Sequence, residues 1–272
     1  MSSVAIPSFA HAGRVTQARV ALSEWTKLHS LRSTRWSLFV AVVFTIGLPL
    51  LFATVVGSHW PHMNPHERAN RHPLDVALAG VNLSQLAIAV LGVLAITGEY
   101  STGMIRATFT AVPKRLPVLW AKAAVYAVVT AVLMVPSVLA AFWGSQAILA
   151  HYHILQISLT HGGVLRSVLG GALYLTMLSV FGLAIGAIVR NTAGGIASFV
   201  ALFFVIPPLM NVLPQSWNDA ISPYLPSSAG RDVFSLTHGA HDLSPTAGFA
   251  LFAAYTVFAI AVAAVLLVRR DT

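Results

Sequence analysis

The lysines limit the chemistry open to this chain, because proteins that hydrolyse nucleotides usually hold the phosphates with one. A phosphate-binding P-loop ends in Gly-Lys followed by Ser or Thr. None of the three lysines, Lys27, Lys114 and Lys122, follows a glycine. The sequence therefore contains no P-loop, and we predict no catalytic residue and no cofactor in this chain.

The eleven histidines are the other candidates for chemistry, as metal ligands. His59, His62 and His66 have a spacing that would place them on one face of a helix, but Pro61 and Pro65 interrupt the segment. Few carboxylates lie nearby. Solvated loop histidines are favoured over a zinc site at this position, and we predict no metal.

The most informative polar segment is residues 98–115. It carries both signs of charge and begins Gly98-Glu99-Tyr100-Ser101-Thr102-Gly103-Met104-Ile105-Arg106. Apolar runs flank it on both sides. A simple turn between two spans would need fewer residues, so we expect a short helix here that docks a second protein.

The composition of the chain indicates that the segments flanking these residues are membrane spans. The 272 residues are 57% hydrophobic and 9% charged, whereas soluble domains are about 25% charged. There is no cysteine, which excludes disulfides and thiolate metal sites. We predict an all-α integral membrane protein forming one transmembrane domain over 1–272. Six spans are expected at 37–57, 78–97, 117–145, 165–189, 193–213 and 246–268.

The basic residues predict the orientation of these spans. Four of the 16 Lys and Arg residues, Arg68, Arg71, Arg166 and Arg231, fall on one side, and the others fall on the side of the termini. Positive residues mark the cytoplasm. Both termini and the 98–115 segment are therefore predicted to be cytoplasmic in a bacterial plasma membrane. The net charge of +8 then reflects topology, so no nucleic-acid partner is needed.

An amphipathic helix is predicted at 14–31, before the first span. Its apolar residues recur at three- and four-residue steps, and they are Val15, Ala18, Leu22, Trp25 and Leu28. Glu24 and Lys27 fall elsewhere on the helical wheel. We expect this helix to lie in the membrane interface, with Trp25 at headgroup depth and membrane lipid as its partner.

Carboxylates are scarce within the predicted spans. Glu99 lies at the end of the second span, and no Asp or Glu lies well inside any of the six. Ion-driven carriers usually place acidic groups near mid-membrane, so we expect the energy to come from a partner. Glu99 itself is costly at the membrane boundary unless Arg106, Arg115 or Lys27 pairs with it.

The sequence combines six spans, an N-terminal amphipathic helix, no nucleotide site and a helical cytoplasmic insert after the second span. This combination resembles the membrane subunits of type-2 ABC exporters, the ABC-2 permease class that shares its fold with the G-subfamily pumps. The resemblance covers nearly the whole chain. It is sharpest over the 98–106 motif and the following Ala111-Val112-Pro113-Lys114-Arg115, and it includes the run Glu24-Trp25-Thr26-Lys27-Leu28.

The resemblance implies a coupling helix at Thr102–Thr110, docked in a cleft of a separate ATPase. Glu99 would tie this helix to the interfacial helix, where Glu24, Trp25 and Lys27 lie. The residues implied in ATPase coupling are Glu99, Thr102, Gly103, Met104, Ile105, Arg106, Thr108, Phe109 and Arg115.

The resemblance also implies a dimer that works by alternating access. Two ATPase subunits would bind MgATP, and a second permease subunit, expected to be an identical copy, would complete the pathway. Segment 214–245 would lie outside and re-enter the outer leaflet in short helices. The second and fifth spans would line the path, with Asn82, Gln85, Phe199, Phe203 and Asn211.

The function expected from the sequence is export of an amphipathic or lipophilic substrate, such as a drug, antibiotic, peptide or lipid. One alternative is an immunity or sensory subunit of the same fold. A membrane-embedded enzyme is a weaker alternative, because it would require titratable groups that converge within the bilayer.

Overall fold

The computed structural model describes residues 16–69, 71–111, 115–154, 156–236, 239 and 241–270. Every regular element within these ranges is helical. The elements in chain order are α1 (Gln17–Ser30), α2 (Arg32–His59), a 3₁₀ turn (Trp60–His62), α3 (Pro65–Ala69), α4 (Pro73–Ser101), α5 (Met104–Ala111), α6 (Arg115–His151), α7 (Val164–Val189), α8 (Thr192–Val200), a π-helical turn (Ala201–Val205), α9 (Ile206–Met210), α10 (Gln215–Ile221), a 3₁₀ turn (Ser222–Tyr224), α11 (Pro226–Asp232) and α12 (Pro245–Arg270).

The prediction of six long apolar helices is confirmed. The segments long and apolar enough to cross a membrane are Arg32–His62, Pro73–Ser101, Arg115–His151, Val164–Val189, Thr192–Met210 and Pro245–Arg269. The fifth segment ends earlier than the predicted 213, because Asn211, Val212 and Leu213 form turns instead of continuing the helix. The chain is therefore a helical bundle of multi-pass membrane character.

Helices α4 and α7 form the centre of the bundle and are its most buried spans. They approach closely at glycines: an added Cβ at Gly92 would lie 2.2 Å from the carbonyl oxygen of Ser179. An added Cβ at Gly182 or Gly186 would lie 2.7 or 2.8 Å from a carbonyl oxygen of α4. These small residues therefore bring two helices of the same chain together.

The prolines affect their helices differently. Pro49 and Pro136 lie inside the continuous helices α2 and α6. The pair Pro207-Pro208 instead follows the π-helical turn Ala201–Val205. A proline has no N–H to donate to the carbonyl one turn earlier, so two in succession disturb the local hydrogen-bond ladder.

The face that α1 turns towards the bundle differs from the predicted apolar face. Val20, Glu24 and Leu28 are buried against the bundle, whereas Leu22 and Trp25 are exposed. Glu24, which lies off the predicted apolar stripe, is therefore on the buried face of α1. The exposed Leu22 and Trp25 remain free to meet lipid, so the interfacial location of α1 stays a prediction.

Segment 214–245 forms short helices, as expected from its prolines. Pro214 precedes α10, Pro223 lies in the following 3₁₀ turn, and Pro226 begins α11. Buried residues of α11 and the turn after it, including Ala229 and Phe234, join the core formed by α7 and α12. This segment is therefore packed structure, and its depth in a membrane stays a prediction.

Gly92→Ala is expected to lower the free energy of unfolding by about 1–3 kcal/mol, the usual cost of overpacking a close contact. The matched control is Gly47→Ala in α2, where an added Cβ would meet nothing within 4 Å. Alanine is also the better helix former, so the control should keep or slightly raise stability. Reversible unfolding in mixed micelles measures both, and equal losses would contradict the proposed α4–α7 packing.

Candidate functional site

Four charged side chains from three helices meet at one end of the bundle. Lys27 Nζ donates to Glu24 Oε1 at 2.7 Å and to Glu99 Oε1 at 2.9 Å. Lys122 Nζ donates to Glu99 Oε1 at 2.9 Å and also to Glu24 Oε2. Each carboxylate is therefore held by both ammonium groups. We name this group of Glu24, Lys27, Glu99 and Lys122 the four-charge cluster.

The four-charge cluster is almost entirely removed from solvent. Glu24 is 1% exposed, Lys122 2% and Glu99 5%, while the Lys27 side chain retains 20%. A buried ion costs several kcal/mol unless opposite charges and hydrogen bonds compensate it. Two acids and two bases balance each other's charge, whereas any three of them would leave a net charge inside the protein.

Local sequence pattern places these residues where they meet. Val20, Glu24 and Leu28 recur every four residues, so they share one face of α1. Val20 packs on Val118 and Ala121 of α6. Lys122, the next residue of α6, consequently points at the face of α1 that carries Glu24.

The cluster extends to α5 through a hydroxyl group. Lys27 Nζ donates to Thr108 Oγ1 at 3.3 Å, and Thr108 Oγ1 donates to the carbonyl of Met104 at 3.2 Å. One lysine therefore contacts three helices, namely its own, α4 through Glu99 and α5 through Thr108. Any displacement of α5 acts directly on the paired charges.

The turn between α4 and α5 requires a glycine. Gly103 has φ of 72°, and its N–H donates to the carbonyl of Tyr100 at 3.3 Å. A side chain in this left-handed region costs about 1–2 kcal/mol. Ile105 is buried on one side of α5, whereas Met104 and Thr110 are exposed. The short helix therefore has one side anchored to the protein and another available.

The predicted coupling residues are only partly brought together. The helix begins at Met104, while Thr102 and Gly103 form the turn before it. Of the three candidate partners for Glu99, Lys27 makes the ion pair. The side chains of Arg106 and Phe109 lie outside the described part of the structure.

Arg115 occupies a different position from the one considered for it. Its Nη1 donates to the carbonyls of Leu267 and Val268 near the end of α12, at 3.1 and 3.4 Å. It therefore fastens the start of α6 to the last span.

Lys122 is the central residue that sequence reasoning missed. It lies seven residues inside α6, about 10 Å along the helix axis from Arg115. Burying a charged lysine that deep in an apolar span costs free energy unless an acid pairs with it, and this cost could have marked Lys122 as a residue that needs an acidic partner. Its two acidic partners lie 98 and 23 residues away in the sequence, so no local pattern identifies them.

Some of the predicted path residues converge on a second site. Asn82, Gln85 and Phe203 line a cavity of about 550 Å³, together with Pro207 and Arg231. Gln85 Oε1 accepts a hydrogen bond from the hydroxyl of Tyr174 at 2.5 Å. The cavity thus combines amide groups with an aromatic wall, as an amphipathic ligand would require.

Two other predicted path residues lie outside that lining. Phe199 is 1% exposed and stacks on Phe203, with ring centroids 4.4 Å apart. It therefore supports the cavity wall from behind. Asn211 is exposed beyond the end of α9.

Comparison with known proteins does not place the chain in a family. No protein-family model matches it, and no curated protein matches it significantly. Within the described residues, no three His, Asp or Glu side chains come together as metal ligands. The features that bear on function are therefore the four-charge cluster, α5 and the 550 Å³ cavity.

Lys122→Met is expected to lower the free energy of unfolding by about 3–5 kcal/mol, because two buried carboxylates would then share one lysine. Lys27→Met removes the same charge where water can reach, so its loss should be clearly smaller. Unfolding in mixed micelles, followed by circular dichroism, measures both variants. Equal effects, or none for Lys122→Met, would contradict the burial argument.

Proposed function

We propose that this chain is the membrane subunit of an ATP-driven exporter of the ABC-2 permease class. In this proposal α5 docks on a separate ATPase, and the four-charge cluster transmits the ATPase movement to the spans. The observation that carries it is the contact of Lys27 with both Glu99 and Thr108, which joins α5 to the membrane helices. The 272 residues contain no P-loop, so the proposal assigns ATP hydrolysis to a partner subunit.

The shape of α5 supports docking. It is a short amphipathic helix whose Ile105 is buried while Met104 and Thr110 are exposed. It follows a glycine turn at the end of the second span and precedes the third. A partner bound to the exposed side of α5 could therefore displace both α4 and α6.

The electrostatics of the cluster support transmission of force. Breaking one pair would leave uncompensated charge in a low-dielectric setting, at a cost of several kcal/mol. Helices α1, α4 and α6 should consequently move together when α5 is displaced. Both carboxylates already contact two ammonium groups, which disfavours a role for the cluster as a general acid or base.

The 550 Å³ cavity supports the proposed substrate class. Its wall includes Asn82, Gln85 and three phenylalanines, which suits an amphipathic or lipophilic molecule. The span that contributes Phe203 is the least buried of the six, so much of its surface is available to a second copy of the chain. The proposed assembly is two such subunits and two ATPases that bind MgATP, in the bacterial plasma membrane with the termini cytoplasmic.

Glu99→Ala should reduce transport at least about tenfold, which corresponds to about 1.4 kcal/mol, because α5 loses its ion-paired link to α4. ATP hydrolysis should persist without transport, or the ATPase should fail to copurify. Transport into inverted vesicles and ATPase copurification measure the two outcomes. The control Glu67→Ala removes an exposed carboxylate at the opposite end of the bundle and should transport normally.

Wild-type transport by Glu99→Ala would contradict the proposed coupling. A wild-type complex that hydrolyses ATP with no transport and no substrate stimulation would favour the immunity or sensory alternative. Chemistry that proceeds with no ATPase present and is lost in Glu99→Ala would favour a membrane-embedded enzyme.

Docking through α5 predicts a specific crosslink. The chain has no cysteine, so Met104→Cys supplies a unique thiol on an exposed part of α5. With a short thiol crosslinker, this variant should join to the ATPase in membranes, as read by immunoblot and peptide mass spectrometry.

The matched control for the crosslink is Ser58→Cys, exposed at the far end of α2. It should give no ATPase adduct. Crosslinking of the ATPase to α1 or to the Arg269-Arg270 end, but not to α5, would show that the docking assignment is wrong.

A further inference from the structure

A large cavity lies at the end of the bundle opposite the four-charge cluster. Its volume is about 960 Å³, at the upper end of the ~300–1,000 Å³ range typical of small-molecule sites. It is formed where α2 ends, where α4 begins and where the chain passes from α6 to α7. Its lining residues are Trp60, Pro65, Arg68, Arg71, His72, Pro73, Ile154, Gln156, Ile157, Ser158, Thr160 and His161.

The polar part of this lining is suited to an anion. Arg68 and Arg71 contribute two fixed positive charges, and no Asp or Glu is among the residues that the structure describes in the wall. Glu67 and Asp75 are the nearest acids in sequence: the Glu67 carboxylate accepts from the Asn64 N–H at 3.3 Å, and Asp75 lines neighbouring cavities. The wall itself is therefore positively charged.

The guanidinium of Arg68 is held in place, and one of its N–H donors has no acceptor among the described residues. Its Nη2 donates to the carbonyl of Pro61 at 3.1 Å, and its guanidinium lies 5.7 Å from the centroid of the Trp60 ring. Its Nε is buried and has no hydrogen-bond partner among the described residues. A buried donor without an acceptor is costly, so the guanidinium of Arg68, a residue of the cavity wall, is not fully satisfied by the described residues.

The remaining polar groups of the wall are also potential donors. His72 Nδ1 accepts from the N–H of Leu74 at 3.3 Å, which leaves the hydrogen of a neutral imidazole on Nε2. Ser158 and Thr160 bring two hydroxyls 2.9 Å apart. Phosphate oxygens accept hydrogen bonds from such groups and pair with arginine.

The apolar part of the lining indicates that the anion belongs to an amphiphile. Trp60, Ile154 and Ile157 give the cavity a hydrophobic side, which a free inorganic ion would leave uncovered. Trp60 also lies near the end of the membrane-crossing segment Arg32–His62, and tryptophan is enriched where such segments meet lipid headgroups. A phosphate headgroup with its glycerol and upper acyl carbons matches both sides.

We propose that this cavity binds the phosphodiester headgroup of an anionic phospholipid from the leaflet at that end of the bundle, with Arg68 and Arg71 as the phosphate ligands. Arg68 is the pre-positioned ligand, and the exposed Arg71 completes the pair. The site is separate from the proposed ATPase contact and does not depend on it.

Native mass spectrometry of the full-length protein in detergent tests the site. Short-chain phosphatidylglycerol should bind at one equivalent and persist under collisional activation better than short-chain phosphatidylcholine. Arg71→Gln should weaken phosphatidylglycerol binding about tenfold, as expected for one lost charge-assisted contact, and Arg68→Gln with Arg71→Gln should abolish it.

The matched control is Arg166→Gln, which removes the same charge from an arginine outside this cavity and should bind phosphatidylglycerol like the wild type. Circular dichroism confirms that each variant folds, and the exposed position of Arg71 makes its variant the safer one. Equal binding of the two lipids, or equal loss in the Arg166 variant, would overturn the site. Displacement of the lipid by inorganic phosphate at comparable concentration would overturn its assignment to a lipid.

Discussion

A charge buried away from water must be balanced where it lies, and this constraint governs the end of the bundle where α1, α4, α5 and α6 meet. Lys122 cannot reach water from its position in α6, so Glu24 and Glu99 have to approach it. Two carboxylates beside one lysine would leave a net negative charge, and Lys27 balances it by pairing with both Glu24 and Glu99. The packing of α1 on the bundle is therefore tied to electrostatic balance as well as to apolar contact.

Close packing along α4 connects the four-charge cluster to the centre of the bundle. Gly92 lets α4 lie directly on α7, so the helix that carries Glu99 is supported along its length by the most buried span. In the proposed exporter, the continuous helix α4 would carry a displacement at Glu99 towards Asn82 and Gln85, which lie four to five turns away in the same helix. The cluster and the 550 Å³ cavity are thereby joined by one continuous element.

The two ends of the bundle treat positive charge differently. At the cluster end, lysines are buried and matched by carboxylates, which fits a structural link. At the other end, Arg68 and Arg71 line an open cavity whose described wall has no acid. A buried, balanced site holds helices together, whereas an open, unbalanced site attracts an external anion. This contrast is the reason for assigning different roles to the basic residues at the two ends.

The sequence alone determined the helical class, the six long apolar segments and the short helix after the second of them, because hydropathy and glycine turns act within about 20 residues. It also identified Glu99 as a charge in need of a partner. Lys27 was one of three candidate partners from the sequence, and tertiary structure selected it and added Lys122. Lys122 also pairs with Glu24, which lies 98 residues away in the sequence. The convergence of Asn82, Gln85 and Phe203, and the exclusion of Phe199 and Asn211 from that lining, were decided in the same way. Helical periodicity places a residue on a face, but only the packing of distant helices determines what that face meets.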